Sequence, residues 1–452
     1  MESIFESVGE FLNALGPLIV LPVVIAILGI VLGQKWDSAV RSGLTTAVAF
    51  VGIFLTVGLL GETVSTIGAA FAENTGTGLS VIDIGWPAAS ALAFGTPVGN
   101  LIIPLGIALN LILLLLGLTH TLDIDIWNFW HMAFVGALVN YVTGSFALAL
   151  YAAAFSLVVA LFLADWSAPL IQKHFKIPGI SIPHLQSASY MLLALPFANL
   201  INKVPALRKL NMEPDTIRKR LGLIGEPMVL GFIIGGLLAI FAGQGTTDVI
   251  LTAVNTAAVM LLIPRMVGIL VEALSPVAEA AQKFMSKRFA GRKFYIGMDS
   301  AILAGNPTVI AAGLLLVPVE ILLALALAPL GNQTLPFIDL ADGVFVAAML
   351  APLVAGDVIL TTLLGAIVMG IGLIFTTHLA PAVTNLVNTG ATALDIPSGF
   401  ASYTVMSDGA MPVAYGLYYL FQTPVAVAIV VSLVVLGGLY WLKTKYPLGS
   451  EA

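Results

Sequence analysis

The sequence predicts an all-α polytopic membrane protein of about 11 transmembrane helices, built as two inverted-topology repeats with re-entrant hairpins. Three observations predict it. Hydrophobic residues make up 59% of the 452 residues and charged residues only 9%, where a soluble chain carries roughly 25% charged. Runs such as Leu12 to Val31, Leu101 to Leu118 and Val425 to Leu442 are apolar enough, and about long enough, to cross a hydrocarbon core of ~30 Å. Landmarks of the first half also recur in the second at an offset of 210 to 214 residues. Glu62 with Ser65 matches Glu272 with Ser275, Gly95-Thr96-Pro97 matches Gly305-Asn306-Pro307, Asp125 matches Asp339, and Ala168-Pro169 matches Ala380-Pro381. Inverted duplication places the substrate of many secondary transporters at the repeat interface near the bilayer midplane.

The elements follow in order from the cations. Lys35 and Arg41 lie in the first short loop, Lys173 and Lys176 follow the fifth apolar run, six cations lie between Lys203 and Arg220, five between Lys283 and Lys293, and Lys443 and Lys445 come last. Lys and Arg mark cytoplasmic loops. The segments Gly61–Asp83 and Gly243–Asp248 hold neither and read as external. Spans near 12–33, 43–60, 98–118, 127–143 and 145–164 then carry the chain from an outside N-terminus to the cytoplasm. Spans near 227–243, 249–271, 308–329, 342–355 and 358–378 form the second set, and a helix near 425–442 ends in the cytoplasm. Five spans per repeat, an odd number, invert the second against the first. The first repeat covers 1–202 (spans 12–60, then 84–202), a basic cytoplasmic linker 203–226, the second repeat 227–424 (spans 227–271, then 296–421), and 425–452 the last helix and tail. The start, Met1 to Glu10, lacks the basic region of a signal peptide.

Three apolar stretches are too interrupted to be spans: Gly85-Trp86-Pro87 to Gly95-Thr96-Pro97, Ile182-Pro183-His184 to Tyr190, and Pro397-Ser398-Gly399 to Asp408-Gly409. Pro removes an amide and ends a helix, and small polar residues re-satisfy the freed backbone groups. These segments read as re-entrant hairpins lining a polar cavity, with ordinary surface loops as the alternative. With no Cys, the chain has no thiolate ligand, disulfide or phosphocysteine. It shows no metal-ligand spacing, no phosphate-binding Gly-Lys motif and no triad, so no cofactor, metal, catalytic residue or nucleic acid is expected.

The run Asp123-Ile124-Asp125-Ile126-Trp127-Asn128-Phe129-Trp130-His131-Met132 resembles the galactitol-type enzyme IIC permease of the bacterial phosphotransferase system. So do Asp83 to Pro87, Gly225-Glu226-Pro227, Thr256 to Arg265 and Gly331-Asn332-Gln333-Thr334-Leu335-Pro336-Phe337. The resemblance implies the ascorbate–galactitol fold: a homodimer in the lipid of the cell membrane, with a scaffold made from the first two spans of each repeat. It also implies a moving core that holds the hairpins and an elevator motion. Phosphate would come from separate IIB and IIA subunits, since the phospho-accepting cysteine is not on this chain.

A polyol needs ring faces for its CH groups and hydrogen-bonding groups for its hydroxyls. His131 follows the aromatic start Trp127 to Trp130, which also reads as an interfacial belt. His184 and Gln186 fall in the hairpin where the family places substrate contacts. Asp299 precedes the Gly305-Asn306-Pro307 break, and its carboxylate suits hydroxyls better than an anion; a helix cap is its alternative. Trp86, Asn306, Asn332 and Gln333 complete the substrate-binding candidates, the last two balanced, with Asp339, against a capped loop. Glu226 reads as a helix N-terminal charge, and Arg265 with Glu272 as an ion pair or interface. Asp357 and Asp408 are further pathway candidates without a partner that the sequence identifies. The resulting expectation is a galactitol-like permease coupled to phosphorylation. A proton-coupled polyol transporter working through Asp299 or His131 is the runner-up, and a channel or receptor is third.

Overall fold

The structure, a computed structural model, describes residues 17–76, 78–123, 125–204, 223, 226–288, 294–303, 306–389 and 402–449. Four helices form one unit: α1 (Pro17–Val31), α2 (Trp36–Thr75), α8 (Pro227–Phe241) and α9 (Thr246–Arg288). Helix α2 runs along both α1 and α9, and α8 lies on α9. Small residues bring the backbones close, as expected where lipid offers no hydrophobic drive between helices. A Cβ at Gly235 would lie 2.4 Å from the Thr256 hydroxyl oxygen, and one at Gly43 would lie 2.5 Å from the Pro22 carbonyl oxygen. The outer faces are apolar and exposed at Ile27, Leu44, Leu55, Phe232 and Leu251, which is the pattern of a surface solvated by lipid.

The rest of the chain carries the interrupted segments. The first half supplies β1 (Val81–Asp83), α3 (Gly85–Phe94), α4 (Pro97–Leu115), β2 (Thr121–Asp123), α5 (Trp130–Thr143), α6 (Phe146–Phe175), β3 (Ile180–Ser181) and α7 (Leu185–Ile201). The second half supplies β4 (Tyr295–Gly297), α10 (Pro307–Leu327), β5 (Thr334–Leu335), α11 (Gly343–Leu350), α12 (Val358–Thr389), β6 (Ser402–Thr404), α13 (Met406–Gly409), α14 (Pro412–Leu420) and α15 (Val425–Lys445). Pro97 and Pro307 each open a helix at its first turn, behind Thr96 and Asn306, whose side chains accept backbone N–H bonds there.

The six short strands are the feature that an all-α expectation leaves out. They form two parallel three-stranded sheets, β5-β1-β6 and β2-β4-β3. Each sheet takes its central strand from one half and both flanking strands from the other. The registers are short: Val81 pairs with Thr334 and Ser402, and Ile296 pairs with Leu122 and Ile180. Non-helical backbone inside a membrane protein must be satisfied by protein, and these strands satisfy it. Asp83, fully buried, extends the same service with its side chain. One oxygen accepts the N–H groups of Gly85 and Met406 at 3.0 Å each, and the other accepts those of Phe337 (3.2 Å) and Asp339 (2.8 Å).

Several expected boundaries shift. Among the described residues five helices are long and apolar enough to cross a membrane: Pro97–Leu115, Phe146–Phe175, Pro307–Leu330, Val358–Thr389 and Val425–Lys445. The chain is an integral membrane protein. The expected spans 127–143 and 342–355 are shorter than a bilayer. Helix α5 has 14 residues and α11 has 8, or about 21 and 12 Å at 1.5 Å per residue. Helices α2 (40 residues) and α9 (43 residues) run on, so Gly61–Thr75 is helix and not an external loop. Lys283, Lys287 and Arg288 likewise end a helix. The boundary between 143 and 145 holds: Gly144 is left-handed, with φ 64°, and the Ser145 hydroxyl accepts from Leu148 N. The basic stretch 205–222 and the hairpin residues 397–401 lie outside the described residues.

Helix α15 is the least covered of the spanning helices, with Val430 60% and Val434 68% exposed. Its C-terminal end is nevertheless pinned. The Lys443 ammonium donates to Asp165 Oδ2 and to the Leu118 carbonyl, each at 2.6 Å. Asp165 also accepts the hydroxyls of Thr119 (2.9 Å) and Thr121 (2.8 Å) and the His120 N–H (3.1 Å). The Trp166 indole donates to the Tyr446 carbonyl at 3.0 Å. One ion pair thus ties together α6, the turn into β2 and α15.

Candidate functional site

Short helices that start inside the protein bring four polar side chains into one line. His131 is the second residue of α5, His184 precedes α7, Asp408 lies in α13, and Ser300 follows β4. His131 Nδ1 is 2.8 Å from Asp408 Oδ1, and His131 Nε2 is 3.0 Å from His184 Nε2. His184 Nδ1 lies 2.8 Å from the Ser187 hydroxyl and 3.0 Å from that of Ser300. All of these side chains are buried.

With Asp408 ionised the contacts are consistent with one proton pattern: a carboxylate only accepts, so His131 Nδ1 then carries the hydrogen that Asp408 receives. The Nε2 of neutral His131 then accepts, and His184 Nε2–H donates to it. His184 Nδ1 is left to accept a serine hydroxyl. Hydrogen bonding therefore runs in one direction, from serine through both imidazoles to Asp408. Trp130 stacks near His131 with ring centroids 4.1 Å apart, and the two imidazoles meet edge to face at 4.7 Å. Asp408 Oδ2 and the Ser407 hydroxyl are buried without a partner among the described residues. Among the described residues no Lys or Arg joins this set of hydrogen bonds.

A second pair lies beside the first. Gln186 Nε2 donates to Asp342 Oδ2, and both side chains are buried. Asp342 stands at the start of α11 as His131 stands at the start of α5, and Gln186 opens α7 as Asp408 opens α13. Each half thus contributes one helix-start residue and one residue from the segment after its last strand, and each pair joins the two halves.

The remaining sequence candidates separate into neighbours and supports. Asp299 adjoins the line: its Oδ1 accepts the Ala301 N–H at 2.8 Å and faces the Ser300 hydroxyl at 3.4 Å. Trp86 is held through its backbone N–H, which donates to Asp339 Oδ1 at 2.7 Å. Asn306 caps α10, accepting Thr308 N at 2.9 Å. Asn332 braces β5, giving its amide to the Ala324 and Thr334 carbonyls at 3.0 Å each. The Gln333 backbone bonds the Thr377 hydroxyl and Val81, and it stands apart from the imidazoles. Asp339 also supports backbone, accepting Ser407 N at 2.7 Å. Asp357 caps α12 through Leu360 N at 2.9 Å. Glu226 takes the position before α8. Arg265 and Glu272 are both exposed and form no ion pair with each other among the described residues. Sequence reading did not single out Asp342, Ser187 or Ser300. Ser187 sits one turn from His184 and Ser300 adjoins Asp299, which was the available signal; Asp342 had its spacing from His131 alone.

Sequence comparisons find relatives along most of the chain. Residues 10–397 match the family described as the PTS system sugar-specific permease component, EIIC-GAT. The chain is 35% identical over 418 residues to the PTS system galactitol-specific EIIC component of Escherichia coli strain K12, covering 92% of this chain and 91% of that one. The protein of the same name from Escherichia coli O157:H7 matches to the same extent. The family match spans the four-helix unit, the strands β1 to β5 and every residue of the serine–imidazole–carboxylate line except Asp408; β6 and Asp408 lie beyond it. The chain belongs to the EIIC-GAT family of sugar-specific permease components of the phosphotransferase system.

Proposed function

We propose that this chain translocates galactitol, or a closely related neutral hexitol, and works with separate IIB and IIA subunits that supply the phosphate. The observation that carries the substrate class is the buried line Ser300–His184–His131–Asp408, with Asp408 Oδ2 and the Ser407 hydroxyl beside it and, among the described residues, no cation in its hydrogen bonds. A sugar hydroxyl both donates and accepts, so it can insert between any two members of such a line. An anion would instead call for a cation. Gln186 and Asp342 extend the set, and Asp299 borders it. Trp86, Asn306, Asn332 and Gln333 act as its supports.

The chain comprises two inverted repeats that divide near 203–226, with the N-terminus outside, the C-terminus cytoplasmic and α15 added at the end. Support for this comes from the reciprocal exchange of strands and from the matching pairs His131–Asp408 and Gln186–Asp342. Transport proceeds by an elevator motion within a lipid-embedded homodimer. The four-helix unit α1, α2, α8 and α9 serves as the scaffold, and the strand-linked remainder moves as one core. The basic residues Arg218, Lys219 and Arg220, outside the described residues, dock an acidic IIB partner. Charge steering of that kind mainly speeds encounter and fades with salt. Neutralising all three should slow phosphorylation of bound polyol, by less at high ionic strength; a normal rate and salt dependence would leave the loop a topological signal only.

Uptake of labelled galactitol and ascorbate in cells carrying this chain tests the substrate reading. Galactitol should be taken up and ascorbate should not; preference for ascorbate refutes it. Proton-coupled uptake without phosphotransfer remains the second reading, favoured by one observation. Glu320 on α10 is buried with neither carboxyl oxygen partnered among the described residues, and a lone intramembrane carboxyl is a candidate proton carrier. Uptake that needs no IIB and collapses with the proton gradient would select it.

A further inference from the structure

A cavity of about 260 Å³ opens at the far end of α5 from the imidazole pair. Its walls include Thr96 before α4, Asn140 and Tyr141 at the end of α5, Phe146 at the start of α6, and Asn385 and Thr389 at the end of α12. Among the described residues that line it none is charged. The hydroxyls of Thr96 and Thr389 are spent on the backbone carbonyls of Ala93 and Asn385, at 2.7 and 2.8 Å. The side chains of Asn140, Tyr141 and Asn385 make no hydrogen bond among the described residues. Two amides and a phenol, exposed and with no side-chain hydrogen bond among the described residues, match the needs of a neutral polyhydroxylated molecule: the amides and phenol meet hydroxyls and the Tyr141 ring covers CH groups. The volume suits a small ligand, since sites for larger, drug-sized molecules begin near ~300 Å³.

Its position relates it to the candidate site. Asn140 lies nine residues beyond His131 on the same helix, about 13 Å along the axis. Phe134, Val135, Leu138 and Val139, all buried, fill the length between. The cavity also abuts the Gly95-Thr96-Pro97 break between α3 and α4. We propose that this cavity is an access subsite that holds a neutral polyol before or after it occupies the imidazole site. The proposal rests on the hexitol reading above for the identity of its ligand.

The test uses the full chain in lipid nanodiscs, because sugar-headed detergents would compete for such a site. Tyr141→Trp places a fluorophore in the cavity, read against the unsubstituted chain. Galactitol and mannitol should each give a saturable change in the added emission, and His184→Ala should leave that change in place. Absence of any change with either hexitol overturns the proposal, as does a change that disappears with His184→Ala, because the fluorophore would then report only the inner site. Asn140→Ala combined with Asn385→Ala should raise the half-saturating galactitol concentration for uptake about tenfold or more, the worth of one or two neutral hydrogen bonds. An unaltered half-saturation also overturns it. If the unsubstituted chain takes up no hexitol at all, the substrate reading fails, while the optical titration still judges the cavity.

Discussion

His184→Ala should reduce galactitol transport by about a hundredfold or more, the worth of two lost hydrogen bonds to substrate at ~1.5 kcal/mol each. The imidazole sits in the middle of the line, joined to His131 at 3.0 Å and to two serines. Its removal breaks the one-way hydrogen bonding and leaves His131 Nε2 without its donor. A purely structural histidine in the same place would act differently, destabilising the protein by ~1–3 kcal/mol for the orphaned partners. Thermal unfolding of the purified variant in nanodiscs separates the two. Near-normal melting with transport lost supports a substrate contact, and lost folding supports a structural role. Asp299→Asn is the companion experiment: Asn keeps the acceptor oxygen that caps Ala301, so a strong transport defect there would implicate the charge. Unaltered uptake in either variant would remove that residue from the site.

Lys443→Met should cost about 3–5 kcal/mol of stability, since removing one member of a buried pair leaves the other uncompensated. Lys443 and Asp165 are 5% and 4% exposed at their side chains, so solvent screens this contact little. Helix α15 otherwise presents much of its length outward, and its end would come away from α6 first. Thermal unfolding followed by circular dichroism measures the loss. The double variant Asp165→Leu with Lys443→Met should recover part of it, because two apolar groups leave fewer orphaned charges. A single variant that melts like the parent would show that α15 is held by its apolar contacts alone.

How far the sequence foretold this structure depends on the distance over which each feature is encoded. Apolar runs are local, so the spanning helices were legible, and so was the Thr143-Gly144 boundary. Broken segments were legible too, because Pro97 and Pro307 follow small polar residues. The strands were not. Two or three residues show no alternation, and the partners of Val81 lie more than 250 residues away in sequence at Thr334 and Ser402. The lengths of α2 and α9 were missed because Gly61 and the Lys283 cluster look like loop signals, while helix packing overrides them. Histidines 131 and 184 stood out as rare polar residues in apolar surroundings, yet their meeting, and that of His131 with Asp408, depends on three segments far apart in sequence converging. Lys443 looked like one more cytoplasmic cation; only the fold reveals Asp165 beneath it.

The central claim is that the line ending in Asp408 binds a neutral hexitol. Equilibrium binding of labelled galactitol to the purified chain in nanodiscs, with and without Asp408→Asn, tests it most directly. The account predicts saturable binding that ascorbate does not displace and that Asp408→Asn removes, since an amide can turn a donor toward His131 and disrupt the line. Binding that survives Asp408→Asn unchanged, or that ascorbate displaces, would contradict it.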